Sequence, residues 1–278
     1  MFAFFRTVVE VAAPLFVISA MLNVGLTQKL SEVVAHLKDH SFVLRMLLAN
    51  FVLAPLLMIA ALTFTSFDPA VRDGLLIFSL AAGAPFLIKL TQTADHSIAL
   101  GAAVMILLIA TTAIYVPIVL PLVMFGVAVD GLVIAKTLAV QMLLPIAMGM
   151  LAVRFLPRSM RTIQPFVGKL ANITLYVLLA ATLIGYFPNM MAIAGSGAIL
   201  LGLLFVGAAF GIGYWMGRGK DHLEDVGGLG TAQRNTAAGV LIATQNFDDP
   251  NVLVILAITN ALGIVMLLLI AKRLSRDN

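Results

Sequence analysis

The stretch Asp225 to Asn246, DVGGLGTAQRNTAAGVLIATQN, has the length of a membrane span and the wrong chemistry for one. Glycines stand at Gly227, Gly228, Gly230 and Gly239, and a polar cluster of Thr231, Gln233, Arg234, Asn235 and Thr236 puts a full positive charge near the middle. A guanidinium at mid-bilayer costs about 3 kcal/mol even on lenient insertion scales, and glycine weakens the helix that should satisfy the backbone there. Both defects are tolerated together where a broken helix lines a polar cavity inside a transporter. A second stretch, Ser79 to Thr93 (SLAAGAPFLIKLTQT), shares this character: Gly83 and Pro85 break it, and Lys89 sits among apolar residues.

The surrounding chain is that of an all-α polytopic membrane protein. Hydrophobic residues make up 62% and charged residues 11%, with a mean hydropathy of +1.08, where soluble domains carry about 25% charged residues. Cysteine is absent, which excludes disulfide frameworks, thiolate metal sites and cysteine nucleophiles. The basic pI near 9.6 does not indicate nucleic acid, because Lys and Arg fall in short loops between apolar runs. The N-terminal MFAFFRTVVEVAAPLFVISA carries Arg6 and Glu10 and has no small-residue cleavage site, so it reads as a retained first span.

Crossing about 30 Å of hydrocarbon takes roughly 17 to 25 apolar residues. Such runs fall near 8–26, 42–64, 74–92, 98–125, 131–153, 166–187, 196–217, 226–246 and 252–271, giving nine expected spans. The third and eighth are the interrupted ones, and the fourth contains Pro117 and Pro121. With the C-terminus cytoplasmic, the inner face holds Lys29, Lys38, Arg45, Arg154, Arg158, Arg161, Lys169, Arg218, Lys220, Lys272, Arg273 and Arg276, twelve of the seventeen Lys and Arg. The positive-inside rule therefore predicts N-terminus out and C-terminus in, in a bacterial inner membrane.

Between the first two spans, KLSEVVAHLKDH predicts a short interfacial helix, with Leu30, Val33, Val34 and Leu37 at helical spacing. His36 and His40 are spaced as metal ligands can be, but no third ligand is in view, so they read as a solvated face. His96 and His222 are isolated, and Asp95 with His96 reads as a solvated turn. Asn23, Gln141, Asn172 and Asn260 lie singly in spans and read as interhelical hydrogen bonds. Glu10 reads as a group near the outer interface, and the fourteen methionines as packing.

The order of element types repeats. A broken span followed by an unbroken one occurs at spans three and four and again at eight and nine, and the fifth span reverses the entry side of the second set. This predicts one transmembrane domain over 1–278: repeat one at about 8–125, a connecting span at about 131–153 and an inverted repeat two at about 166–271.

On these residues the chain resembles the bile acid:sodium symporter family. AAGAP at Ala81 to Pro85 is similar to the small-residue and proline stretch of that family's first crossing helix, and GTAQRNTAAG at Gly230 to Gly239 to the polar stretch of its second. The resemblance implies nine or ten spans, inverted repeats and two broken helices crossing behind a substrate cavity. It also implies sodium at the crossing, held by a glutamate, a glutamine, serine or asparagine side chains and backbone carbonyls. Here the glutamate position aligns with Gly230 and the glutamine position with Arg234 if Asn235 keeps its place; an alignment shifted by one keeps Gln233 and loses the Asn. Lys89 stands where the resemblance implies small polar residues.

Two cations are expected to meet at a shared gap in place of metal ions, so two-sodium coupling is expected to be absent and no cofactor is implied. For Arg234, three roles stay open: a tethered substitute for sodium, a clamp on an anionic substrate, or a side chain satisfied by carbonyls alone. Lys89 either couples transport to protons, contacts substrate or snorkels to the interface. Thr91, Gln92, Thr93, Thr231, Gln233, Asn235 and Thr236, with Pro85, complete the candidate site, as ligands of the freed backbone or of a substrate. The expected function is secondary transport of small organic anions or amphipathic acids by alternating access in the lipid bilayer. The alternative is a proton-coupled or exchange efflux carrier of auxin-efflux or arsenite-efflux type, and a channel stands as the alternative from another class. No span holds the constellation of an intramembrane enzyme.

Overall fold

A computed structural model of the protein describes residues 2–124, 130–219 and 223–277; Lys220 and His222 lie outside the described residues. Regular structure among the described residues is helical. In order it comprises α1 (Phe2–Thr27), α2 (Leu30–His36), α3 (His40–Leu48), α4 (Ala54–Thr63), α5 (Pro69–Leu80), α6 (Leu87–Thr93), α7 (Ile98–Val123), α8 (Gly131–Leu138), α9 (Leu144–Phe155), α10 (Pro157–Gly185), α11 (Phe187–Ala194), α12 (Ala198–Gly217), α13 (Leu223–Ala232), α14 (Thr236–Asn246) and α15 (Pro250–Asp277). Seven helices among the described residues are long and apolar enough to cross a membrane: α1, α3 joined to α4, α7, α8 joined to α9, α10, α12 and α15. Their outer faces carry Leu56, Ile114, Ile118, Leu122, Leu204 and Trp215 exposed, which suits a protein whose solvent is lipid.

The joins inside His40–Thr63 and Gly131–Phe155 are single π-helical turns, Ala49–Leu53 and Ala139–Leu143. Each lies just ahead of a proline, Pro55 or Pro145, whose ring would clash with the carbonyl four residues back in a regular helix. Widening the turn absorbs the clash. It also frees a carbonyl: Ala54 N–H donates five residues back to Ala49, so Pro55, lacking an N–H, leaves the Asn50 oxygen without its intrahelical donor.

The third and eighth sequence spans are each two half-helices, α5 with α6 and α13 with α14, and neither half reaches a span's length. Asp68 caps α5, accepting from Ala70 N at 3.0 Å, and Pro69 fits the first helical position. The helix ends where Ala81 turns extended; Gly83, at φ +79°, and Pro85 then carry the chain across. Asn235 caps α14 by accepting from Ala238 N at 3.0 Å. The two breaks lie against each other as a one-residue antiparallel bridge between Ala82 and Arg234, and Asn235 N donates to Ala81 O at 2.9 Å.

Around this crossing α12 packs on α13, α15 on α5 and α14, and α7 on α6, while α1 packs chiefly on α9 and α10. Glycine makes the tightest of these contacts possible. A Cβ on Gly213 of α12 would stand 2.2 Å from the Gly227 carbonyl of α13, and one on Gly149 of α9 2.7 Å from the Leu22 carbonyl of α1. The segment expected at the interface forms α2, packed on α7 with Val33 buried. His36 Nδ1 lies 2.8 Å from the Glu32 carbonyl, an i to i−4 contact within its own helix.

Candidate functional site

A half-helix ending inside a protein leaves carbonyls unpaired at its C-terminus. Phe78 and Ser79 of α5 would, in a continuing helix, accept from the N–H groups of Ala82 and Gly83. Instead Ala82 N–H donates to Thr112 Oγ1 at 2.9 Å and the chain turns away. Thr231 of α13 would accept from Asn235 N–H, which is given to Ala81. With Asn50, four residues from three places in the chain present unpaired oxygens to one spot.

Arg234 fills that spot. Its Nε donates to Phe78 O at 3.3 Å, Nη1 to Asn50 Oδ1 and Thr231 O, both at 3.1 Å, and Nη2 to Ser79 O and to Asn50 O at 3.5 Å. Arg234 is 1% exposed and is the largest of the fully buried side chains. Its guanidinium lies 6.0 Å from the Phe205 ring centroid, and Asn50 is held in turn by donating to Met46 O at 2.9 Å and Thr231 Oγ1 at 3.0 Å. A C-terminal helix end carries about half a negative charge. Two such ends, of α5 and α13, face this one cation, so the site is close to electrically balanced without a carboxylate.

On the other side of the crossing lies a cavity of about 570 Å³. One wall is α1 and α10, through Phe16, Asn23, Gln164, Asn172, Leu175 and Thr182; the other is the breaks with α6, α14 and α15, through Pro85, Lys89, Gln92, Gln233, Thr236 and Asn260. Gln164 Nε2 donates to Asn23 Oδ1 at 2.9 Å across the α1–α10 wall. Lys89 is exposed to the cavity, with Nζ 3.4 Å from Gln92 Oε1.

The expected meeting of Lys89 and Arg234 takes another form. The two cations share no acceptor: both residues border the cavity, but Arg234 is 1% exposed with its guanidinium among carbonyls, whereas Lys89 is exposed to the cavity. Lys89 sits in α6, past the break, where its stem reaches open space; Arg234 sits in the break itself. The N–H groups of the Arg234 guanidinium are all taken up by the cage.

The remaining expected residues divide. Gln233 and Thr236 line the cavity, and Thr236 Oγ1 is buried with no partner among the described residues. Thr231 accepts from Asn50 behind the crossing, and Asn235 caps α14 while its Nδ2 stays buried and unpaired among the described residues. Thr91 is buried against Gly101 of α7 and bonds back to Leu87 O at 3.1 Å and Ile88 O at 2.9 Å; Thr93 bonds back to Lys89 O at 2.8 Å. Neither belongs to the cavity wall, because α6 turns only one face to it.

Sequence reasoning passed over Asn50 and Thr112, which hold the crossing together. Thr112 is one threonine of a long apolar helix, and nothing nearby in sequence marks it. Asn50 had one signal, a lone amide five residues ahead of a mid-span proline. Asn23, Asn172 and Asn260, read as interhelical hydrogen bonds, all line the cavity, and Asn23 does bridge α1 to α10 through Gln164. The turn at Asp95 and His96 is not simply solvated: His96 Nε2 stands 2.6 Å from Asp225 Oδ2 in a pair with side chains 9% and 8% exposed, and Asp95 accepts from Ser275. The half-helices bring residues distant in sequence side by side at their ends, which a local reading of the turn does not capture.

Two discontinuous helices crossing beside a central cavity, inside a shell of membrane-length helices, define an integral membrane protein. A match to the Sodium Bile acid symporter family runs over residues 14–193, more than half of the chain, and the chain belongs to that family. It is similar to the probable sodium/metabolite cotransporter BASS5, chloroplastic, of Arabidopsis thaliana, 24% identical over 243 residues that cover 83% of this chain and 60% of that protein. It is also similar to the probable sodium/metabolite cotransporter BASS2, chloroplastic, of Oryza sativa subsp. japonica, 25% identical over 260 residues, 90% of this chain and 59% of that one. The chain thus spans about six-tenths of the length of these relatives. The family match ends before α12, so the second broken helix with Arg234 lies beyond it.

Proposed function

We propose that the chain is a secondary transporter of small organic anions, in which the group α1, α9 and α10 rocks against the crossing-helix group to expose the cavity alternately to the two sides. The carrying observation is the cavity's position: its two walls belong to these two groups, and each wall carries amides facing the other. Lys89 supplies the one ammonium on this wall, and the positive N-terminal end of α14 reaches it through Thr236 and Ala237. Amides and one cation against Phe16, Leu175 and Leu178 suit a carboxylate or sulfonate on a partly apolar body. The repeats are related by inverted topology, and with the N-terminus outside, the polar end of the cavity at Thr27, Gln28 and Gln164 faces the cytoplasm.

The test is uptake of radiolabelled organic acids by proteoliposomes, with hits taken from a thermal-shift screen of the purified full chain. Lys89→Gln is expected to raise KM for an anionic substrate about tenfold, the loss of one charge-assisted hydrogen bond, while Lys89→Arg keeps most of the affinity. Unchanged KM in Lys89→Gln, or transport restricted to cations, would remove the basis for this function.

A further inference from the structure

The family's name carries sodium, the resemblance implies it at the helix crossing, and the residues there do not fit it. Among the described residues no group of three or more His, Cys, Asp and Glu comes together as a metal site, and the carboxylate nearest along α13, Asp225, is spent on His96. Gly230, the position the resemblance gives to a glutamate, faces Val104 and Leu87, with a Cβ there already 3.1 Å and 3.4 Å from their methyl groups. What the crossing does offer is a cage of uncharged oxygens at two converging helix C-termini, and that cage is filled by a guanidinium.

We propose that Arg234 is a covalently attached substitute for a coupling cation: the cage is a seat for one monovalent charge, the chain carries its own occupant, and this seat takes no sodium. The cage chemistry is specific to a cation, since every ligand is an oxygen acceptor and both helix ends point their negative poles at it. It asks for a single charge, because two half-charges face it and no acid adds to them. A mobile ion in the same oxygens would meet the guanidinium at contact distance in a dry site, where repulsion is strongest. Conformational change in the carrier then has to leave the Arg234 bonds intact. They tie α13 to α5 and to the π-turn after α3, all within one helix group, and none reaches α1 or α10.

This deepens the carrier function proposed above and is tested without a substrate, so failure of one does not decide the other. Thermal unfolding of the full chain in detergent is followed in guanidinium chloride or sodium chloride at non-denaturing millimolar concentration, each against choline chloride of equal ionic strength. Wild type is expected to respond alike to all three salts. Arg234→Ala is expected to melt lower and to recover by roughly 2 to 3 °C when guanidinium, or less effectively sodium, reaches about ten times its Kd. Arg234→Met, similar in length and uncharged, is expected to melt lower without recovery, because its side chain occupies the cage. Sodium-specific stabilisation of wild type overturns the proposal, as does an Arg234→Met variant as stable as wild type. Should Arg234→Ala fail to fold, the wild-type sodium comparison still decides.

Discussion

Thr112 of α7 closes both backbone groups of Ala82: its Oγ1 donates to the Ala82 carbonyl at 2.8 Å and accepts from the Ala82 N–H at 2.9 Å, with the residue wholly buried. A break in a helix at this depth has no water to turn to, so one hydroxyl from a neighbouring helix does the work of two lost intrahelical bonds. Thr112→Val keeps the shape and strands a donor and an acceptor, and is expected to cost about 2 to 4 kcal/mol, whereas Thr112→Ser keeps the hydroxyl and loses less than about 1 kcal/mol. Denaturation of the two variants in the same detergent separates them; equal stability would show that Ala82 finds other partners.

The His96–Asp225 pair makes a second clasp between the halves, joining the turn after α6 to the first turn of α13. Removing one partner of a buried pair leaves the other's charge without its counterpart, at about 3 kcal/mol or more. His96→Ala is therefore expected to destabilise more than Asp225→Asn, which can still accept a hydrogen bond from the imidazole. A double-mutant cycle of His96→Ala and Asp225→Asn checks this through a coupling energy well above zero.

The fold was legible in the sequence because hydropathy and backbone breakers act locally. Apolar runs located the long helices, and Gly83, Pro85 and the polar cluster at 231–236 located both breaks. The helices run longer than the apolar runs at several ends, as at Pro157–Gly185 against an apolar run beginning near 166, because polar and basic turns extend past the hydrocarbon. The site was half legible. That Arg234 needs a polar home follows from its charge, but which atoms supply it depends on Pro55 freeing the Asn50 carbonyl and on two helix ends converging, relations over 150 residues apart. The surroundings of Lys89 were not legible for the complementary reason: its segment is apolar in sequence, yet α6 turns that residue toward a cavity formed with α10, which no local pattern records.

Gly83 is required twice over. Its φ of +79° is a conformation an L side chain rarely adopts, and a Cβ there would lie 2.5 Å from the Ile109 N and 2.8 Å from the Leu108 carbonyl carbon of α7. Gly195, in the turn after α11, provides a control, with φ −80° and nothing within 4 Å of a Cβ. Gly83→Ala is expected to cost about 2 kcal/mol or more from backbone strain and overpacking, and Gly195→Ala to be neutral or slightly stabilising. Melting temperatures measured side by side test the contrast, and a tolerated Gly83→Ala would mean that the break can relax away from α7.

Away from the polar end of the cavity, the two helix groups are joined by polar links. Arg6 of α1, already bonded to Glu10 at 2.9 Å, reaches Asp248 in the turn before α15 at 3.5 Å, and Thr137 of α8 donates to Gln245 at 2.9 Å. Leu253 stands between the main cavity and a small one of about 30 Å³ beneath this turn, lining both. If the groups rock apart, these links break first, and the Leu253 wall opens behind them. The absence of cysteine makes the motion measurable, since Val240→Cys, on the cavity wall, would be the chain's single thiol. In that background Asp248→Lys, which sets two cations face to face, is expected to speed modification by a membrane-impermeant thiol reagent applied from the Asp248 side, and adding Arg6→Glu to restore the slow rate. The ion pair is exposed, so raising salt in the single-cysteine parent should shift the rate in the same direction as Asp248→Lys. Rates unmoved by charge reversal would show that Leu253 and its apolar neighbours hold this side shut without help from the pair.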